Sequence, residues 1–175
     1  ILMVFSVTML VPLAFAFIGG DAALYAYAGA ILLTLGCGLA LFFSCRRFKR
    51  ELQPRDGFLL VSLVWSVLPA FGALPLLLHI PGLSFTDAYF EAVSGLTTTG
   101  STVLTGLEKL PLSINVWRCF MVLLGGMGIL VLAVAILPLL GVGGSQLFKA
   151  ETPGPMKDTK LTPRIAETAR GLWVV

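Results

Sequence analysis

The chain has 175 residues, 57% of them hydrophobic and only 12% charged, with a net charge of +3 and a mean hydropathy of +0.96. An ordinary soluble domain carries about 25% charged residues, so the composition argues against a soluble core, and so small a net charge gives no ground for nucleic acid binding. Three cysteines, Cys37, Cys45 and Cys119, lie in or beside apolar segments without paired or metal-type spacing, which indicates neither a disulfide framework nor a zinc site.

Four stretches are long enough to cross a bilayer, which takes about 20 apolar residues: roughly 1–18, 22–43, 57–78 and 114–140. The first begins without a methionine or a basic flank and has no small-residue cleavage site, so it reads as a membrane helix rather than a signal peptide, and the chain as an excerpt. Pro12, Pro69, Pro75 and Pro138 lie inside or at the ends of spans and predict kinks, since neighbours in a membrane protein can satisfy the freed carbonyls.

Arg46, Arg47, Lys49, Arg50 and Arg55 fill the link after the second span, and Lys149, Lys157, Lys160, Arg164 and Arg170 follow the fourth. Ten of the twelve basic residues therefore fall on one side, which the positive-inside rule makes cytoplasmic. The turn at 18–21 and everything from His79 to Ser113 are then external. His79 sits in an external turn with no second ligand nearby.

Between the third and fourth spans, a helix from about Asp87 to Leu96 would be about 15 Å long, half the hydrocarbon core. It can enter the membrane but cannot leave by the far side. The run Thr97-Thr98-Thr99-Gly100-Ser101-Thr102 that follows has no reason to be helical. Non-helical backbone at membrane depth is tolerated only where it is buried in protein or lines a wet cavity, so this stretch is expected to face water or ions. Gly100 reaches dihedrals closed to other residues, and the threonines supply hydroxyls and stiff side chains that hold carbonyls inward. The half-helix enters from outside with its electronegative C-terminus at mid-membrane, which favours cations. The pattern is the outline of a cation pore loop.

Single residues admit more than one reading. Asp87 complements the helix dipole, with Ser84 or Thr86 as the cap. Glu91 lies one turn deeper on the same face, where a carboxylate is expensive unless partnered; it either braces the filter backbone by hydrogen bonds or is exposed at the rim. If hydrogen bonding is its task, Glu91→Gln is expected to keep most permeation. Arg118 beside Trp117 reads most simply as an interfacial anchor, with a pore-facing role as the alternative. Gly125, Gly126 and Gly128 read as close-packing positions, or as places where the helix bends. Ser94-Gly95 fits a membrane serine protease poorly, because no histidine is placed to activate it. A membrane-embedded hydrolase and a non-conducting structural subunit are thus the rival classes, and no convergent catalytic groups favour an enzyme. Thr162-Pro163 looks like the start of a further helix, with Ile165, Ala169, Leu172 and Trp173 at helical spacing.

The run Tyr89-Phe-Glu-Ala-Val-Ser-Gly-Leu-Thr-Thr-Thr-Gly-Ser-Thr102, then Trp117-Arg118, Gly125-Gly-Met-Gly-Ile129 and Leu137-Pro-Leu-Leu-Gly-Val-Gly-Gly144 resembles the first pore repeat of TrkH-type potassium transporters in the Trk/Ktr/HKT superfamily. The stretches Lys149–Lys157 and Leu161–Ala169 resemble that family's link into its second repeat. The resemblance implies an all-α transmembrane fold of four helix–pore loop–helix repeats around one pore, preceded in bacterial members by two extra helices, of which this chain is a fragment. On that plan 1–45 holds the two extra helices, 46–56 a cytoplasmic basic link, and 57–144 the first repeat (span 57–78, pore helix 86–96, filter 97–102, span 114–140). A cytoplasmic link at 145–163 then leads to the next repeat's first helix at 164–175. Thr97, Thr98 and Thr99 match the carbonyl-donating filter residues and Gly100 the filter glycine, with Glu91, Ser101 and Thr102 in support. The ion implied is potassium, with no organic cofactor and no transition metal. The implied setting is the bacterial inner membrane, where the protein would dimerise on a cytoplasmic nucleotide-binding ring of TrkA type. The basic segment Lys149 to Arg170 is then either a docking surface for that ring or an anchor to anionic lipid.

Overall fold

In the computed structural model, residues 1–46 and 54–136 are described. Most of the basic link at 46–56, the end of the fourth span at 137–140, the second link at 145–163 and the helix at 164–175 lie outside them. Every regular element among the described residues is a helix: α1 (Leu2–Thr8), α2 (Leu10–Gly19), α3 (Leu24–Cys45), α4 (Pro54–Gly72), α5 (Leu74–His79), α6 (Phe85–Leu96), a single 3-10 turn (Leu107–Lys109) and α7 (Leu112–Ile136). Four helical stretches are long and apolar enough to cross a membrane: Leu2–Gly19, Leu24–Cys45, Leu59–His79 and Leu112–Ile129, of 18, 22, 21 and 18 residues. At 1.5 Å per residue they measure about 27–33 Å, the thickness of a hydrocarbon core. The chain is a multi-pass membrane protein.

Two of the spans are broken, and proline accounts for both breaks. Pro12 has no N–H to offer the Thr8 carbonyl, and α1 ends at Thr8 before α2 resumes at Leu10. Pro75 likewise leaves the Phe71 carbonyl without its partner, and the third span divides at Ala73 into α4 and α5. The Trp117 indole N–H donates to the Gly72 carbonyl beside this second break at 2.9 Å, so α7 supports the span where its own ladder is interrupted. Pro69, by contrast, is accommodated inside α4 without ending it.

α2 ends on Gly20, whose φ of 64° is the left-handed conformation that terminates helices, and the Asp21 amide closes back on the Ala16 carbonyl at 2.9 Å. Asp21 then acts far along the chain. Its carboxylate accepts the Ser113 amide at 3.2 Å, satisfying a donor in the first turn of α7, while the Tyr27 hydroxyl donates to the Ser113 carbonyl at 2.9 Å. The α2–α3 turn and the start of α7 are therefore at the same end of the bundle, as expected from the side each span was assigned.

The interior is built from small residues. Ala16, Ala23, Ala30, Ala73, Ala88 and Ala92 are all buried, together with a few large side chains of which Trp117, Tyr27, Met9 and Leu76 are the bulkiest. Phe5 meets Trp117 with ring centroids 5.8 Å apart, joining the first helix to the fourth span. Small residues let helix backbones approach where no hydrophobic effect drives association. The outer faces are strongly apolar: Phe17, Ile18, Tyr25 and Leu32 are each at least 70% exposed, a surface suited to lipid rather than water.

Candidate functional site

The short helix α6 covers Phe85–Leu96, 12 residues or about 18 Å, too short to cross a hydrocarbon core of about 30 Å. Its start is fixed by Ser84, whose hydroxyl oxygen accepts the Asp87 amide at 3.1 Å and whose O–H donates to the Asp87 carboxylate at 2.7 Å. This is a reciprocal capping arrangement with an acid in the first turn, where the dipole favours it. The Tyr89 hydroxyl ties the helix to α4 by donating to the Ser66 carbonyl at 2.9 Å. Ala88, Ala92, Gly95 and Leu96 are buried along α6.

At its C-terminus the backbone folds back on the last turn. The Thr98 amide donates to the Gly95 carbonyl at 2.9 Å, and the Ser94 carbonyl accepts both the Thr99 amide at 2.9 Å and the Gly100 amide at 3.3 Å. Two residues of this turn lie in the left-handed region, Thr98 at φ 58° and Gly100 at φ 74°. For glycine that conformation is nearly free. For β-branched threonine it costs about 1–2 kcal/mol, so Thr98 is held there by the surrounding bonds. The Ser94 hydroxyl donates to the Ser101 carbonyl at 2.6 Å, and the Thr97 hydroxyl donates to the Val93 carbonyl at 2.8 Å while lying 2.9 Å from the Thr99 hydroxyl. The amides of 97–100 are all spent on the helix end. Among the described residues no donor reaches the carbonyl oxygens of Thr97, Thr98, Thr99 or Gly100, and these four residues are exposed.

The outgoing half of the loop is held by Glu91, which is only 3% exposed. One carboxylate oxygen, Oε2, accepts the Thr102 hydroxyl at 3.0 Å and the Val103 amide at 3.2 Å. The other, Oε1, accepts from Arg118 of α7, with Nε at 2.7 Å and a terminal guanidinium nitrogen at 2.6 Å. The Thr102 oxygen passes the network on by accepting the Leu104 amide at 3.1 Å. Arg118 is thus turned onto the half-helix, not left as an interfacial anchor, because a buried carboxylate on the facing helix offers it an ion pair. A small cavity of about 120 Å³ lies between this pair, Ser94, Gly100 and Ser101.

The structure therefore brings Thr97, Thr98, Thr99 and Gly100 together on one turn, with Ser101, Thr102 and Glu91 bonded behind and beyond it. His79 and Asp87 stand apart from that turn, at the end of α5 and the start of α6. No group of three potential metal-ligating side chains occurs among the described residues. Sequence reasoning missed the tasks of two residues. Ser94 lies three positions after Glu91 and so on the same helix face. Arg118 is a charge within an apolar span, which by itself asks for a partner.

Four apolar spans, with a short capped helix between the last two whose return turn has carbonyls that no donor reaches among the described residues, define a multi-pass membrane protein. The chain belongs to the TrkH family, described as a cation transport protein, which matches residues 25–175. It is 53% identical along its whole length to the Trk system potassium uptake protein TrkH of Vibrio parahaemolyticus and 51% identical to TrkH of Escherichia coli K12, covering 36% of each. The Trk system potassium uptake protein TrkG of E. coli is 39% identical over 97% of the chain. The crystal structure of the potassium transporter TrkH from V. parahaemolyticus superposes with a TM-score of 0.78 at 47% identity, over 99% of this chain and 34% of that one. The chain spans about a third of the length of these TrkH relatives.

Proposed function

We propose that this chain is the N-terminal part of a potassium uptake protein of the bacterial inner membrane, comprising two accessory helices and the first of four pore repeats. The observation that carries the reading is the turn after α6, where every amide from Thr97 to Gly100 is bonded back to the helix while four successive carbonyls have no donor among the described residues. Carbonyls freed in this way can replace the hydration shell of a cation. The α6 C-terminus adds the negative end of a helix dipole at the same point, which selects cations over anions. Glu91, Ser101 and Thr102 support the filter, Glu91 by accepting from the outgoing backbone. Transport needs no covalent chemistry and no bound cofactor. The names of the relatives favour potassium over other cations, and the ten-to-two split of Lys and Arg puts the loop on the outer side. The same reading has the full protein dimerise and rest on a cytoplasmic nucleotide-binding ring of TrkA type.

The deciding substitution is Gly100→Ser in the full-length transporter. Among the described residues a Cβ at Gly100 would meet nothing within 4 Å, so the effect expected from this part of the protein is that of the left-handed φ of 74°. That penalty, about 1 kcal/mol or more, turns one carbonyl away from the ion while leaving the spans packed. Potassium and sodium uptake measured side by side at matched membrane abundance should show a fall in potassium preference. An unchanged ratio removes Thr97–Gly100 from the filter.

A further inference from the structure

The GGMG run of α7 contains three glycines that look equivalent in sequence and are not equivalent in space. Among the described residues a Cβ on Gly128 would meet nothing within 4 Å, and one on Gly126 would make only an ordinary contact with the Thr98 methyl at 3.7 Å. At Gly125 the same added carbon would overlap the Leu96 carbonyl oxygen and lie 2.6 Å from its carbonyl carbon and 2.9 Å from its Cα. Every one of those atoms is backbone, so no rotamer change can make room. Carbon atoms in contact prefer about 3.5–4.0 Å, so the two backbones would have to part by about 1 Å.

Leu96 is the last residue of α6, and the next residue, Thr97, opens the loop. We infer that Gly125 is a positioning residue for the filter: α7 presses its bare backbone against the end of the half-helix and so sets the depth and angle at which the Thr97–Gly100 turn stands. This rests on the proposed function of that turn. Two neighbouring contacts mark the same seam as tight. A Cβ on Gly95 would lie 3.1 Å from the Met121 Cβ, and Arg118, two turns before Gly125, is bonded to Glu91 of α6. The seam is bonded at Glu91, snug at Gly95 and closed at Leu96. A side chain at Gly125 therefore levers open the end nearest the loop, because the other end is pinned by an ion pair.

The test compares full-length Gly125→Ala, Gly126→Ala and Gly128→Ala with wild type and Gly100→Ser, at matched membrane abundance, reading the ratio of potassium to sodium uptake. Gly128→Ala and Gly126→Ala should stay within about twofold of wild type, and Gly125→Ala should lower the ratio roughly tenfold or more. Leu96→Ala in the Gly125→Ala background should not restore it, because the obstructing atoms are main-chain. A wild-type ratio in Gly125→Ala, rescue by Leu96→Ala, or an equal fall in all three glycine variants overturns the inference. If Gly125→Ala does not reach the membrane, Gly95→Ala decides, since it opens the same seam by only a few tenths of an ångström: a smaller fall in the ratio supports the inference and an unchanged ratio overturns it. Failure of the filter reading is distinct, because Gly100→Ser would then also leave the ratio unchanged.

Discussion

Replacing Glu91 by glutamine is the sharpest test of the loop's support, because the structure reverses the expectation drawn from hydrogen bonding alone. Both carboxylate oxygens accept and neither donates: Oε2 takes the Thr102 hydroxyl and the Val103 amide, and Oε1 takes two guanidinium nitrogens of Arg118. Glutamine has one oxygen and one NH2. If its oxygen faces Val103, the NH2 confronts Arg118; if it faces Arg118, the NH2 confronts the loop amide. One donor-to-donor contact is unavoidable at a site where the carboxylate is 3% exposed. An unsatisfied buried donor costs about 1–3 kcal/mol and a severed buried ion pair about 3–5. Arg118 keeps 19% of its side-chain surface, which lets water relieve part of the second figure. A net loss of about 2 kcal/mol is the reasonable expectation, a factor of about 30 in the population that holds the loop in place. Glu91→Ala should be at least as damaging. The distinguishing measurement is rubidium uptake by cells lacking other potassium uptake, each expressing the full-length transporter at matched membrane abundance. Glu91→Gln should fall well below wild type, and Glu91→Gln with Arg118→Met should recover part of the loss, because the amide can then turn its oxygen to Val103. Wild-type uptake in Glu91→Gln, or no coupling between the two sites, would refute the two-sided acceptor account.

Other outcomes follow from single bonds. Ser94→Ala removes the donor to the Ser101 carbonyl and should reduce potassium preference while changing overall stability by only about 1 kcal/mol, read as uptake ratio beside thermal unfolding in detergent. Tyr27→Phe strips the Ser113 carbonyl of a buried donor and should destabilise the fold by about 1–3 kcal/mol with the uptake ratio intact. Ser84→Ala removes the cap of α6, a loss of about 1 kcal/mol measurable in the same unfolding assay. For topology, an impermeant thiol reagent should modify a cysteine placed at Pro81 and spare one at Gln53; the opposite pattern would reverse the dipole argument.

What was legible in the sequence is what short-range pattern encodes. Uninterrupted apolar length gave the four spans, and the shortness of the stretch before the threonine run gave the half-helix, which runs Phe85–Leu96. Gly100 could be singled out because a glycine at the end of the threonine run reaches dihedrals closed to other residues, and its φ is 74°. Thr98 could not, since nothing in a β-branched residue's propensity suggests φ 58°; its own amide on the Gly95 carbonyl and the next two amides on the Ser94 carbonyl hold it there. The pairing of Glu91 with Arg118 spans 27 residues and two helices, so no periodicity within either helix reports it. Each residue taken alone states that it needs a partner without saying which. The glycines of α7 make the same point in reverse, since Gly125 and Gly128 are one residue type in one helix and only the fold decides that, among the described residues, Leu96 stands against the first and nothing against the second.

The residues whose partners no local pattern reports also act together. Glu91 and Ser94 lie on one face of α6 and bond the outgoing loop at Thr102, Val103 and Ser101, while the Ser94 carbonyl gathers the amides of Thr99 and Gly100. With donors drawn to the helix on one side and to Glu91 on the other, the carbonyls of 97–100 are the groups left over among the described residues. A loop whose amides are all satisfied by its own scaffold cannot easily turn them toward a passing ion, since each turned amide would abandon a bond worth about 1 kcal/mol and leave its acceptor unpaired. On the proposed reading of this loop, a preference for cations follows from the hydrogen-bond accounting of one short helix and its return, before any charged side chain is counted.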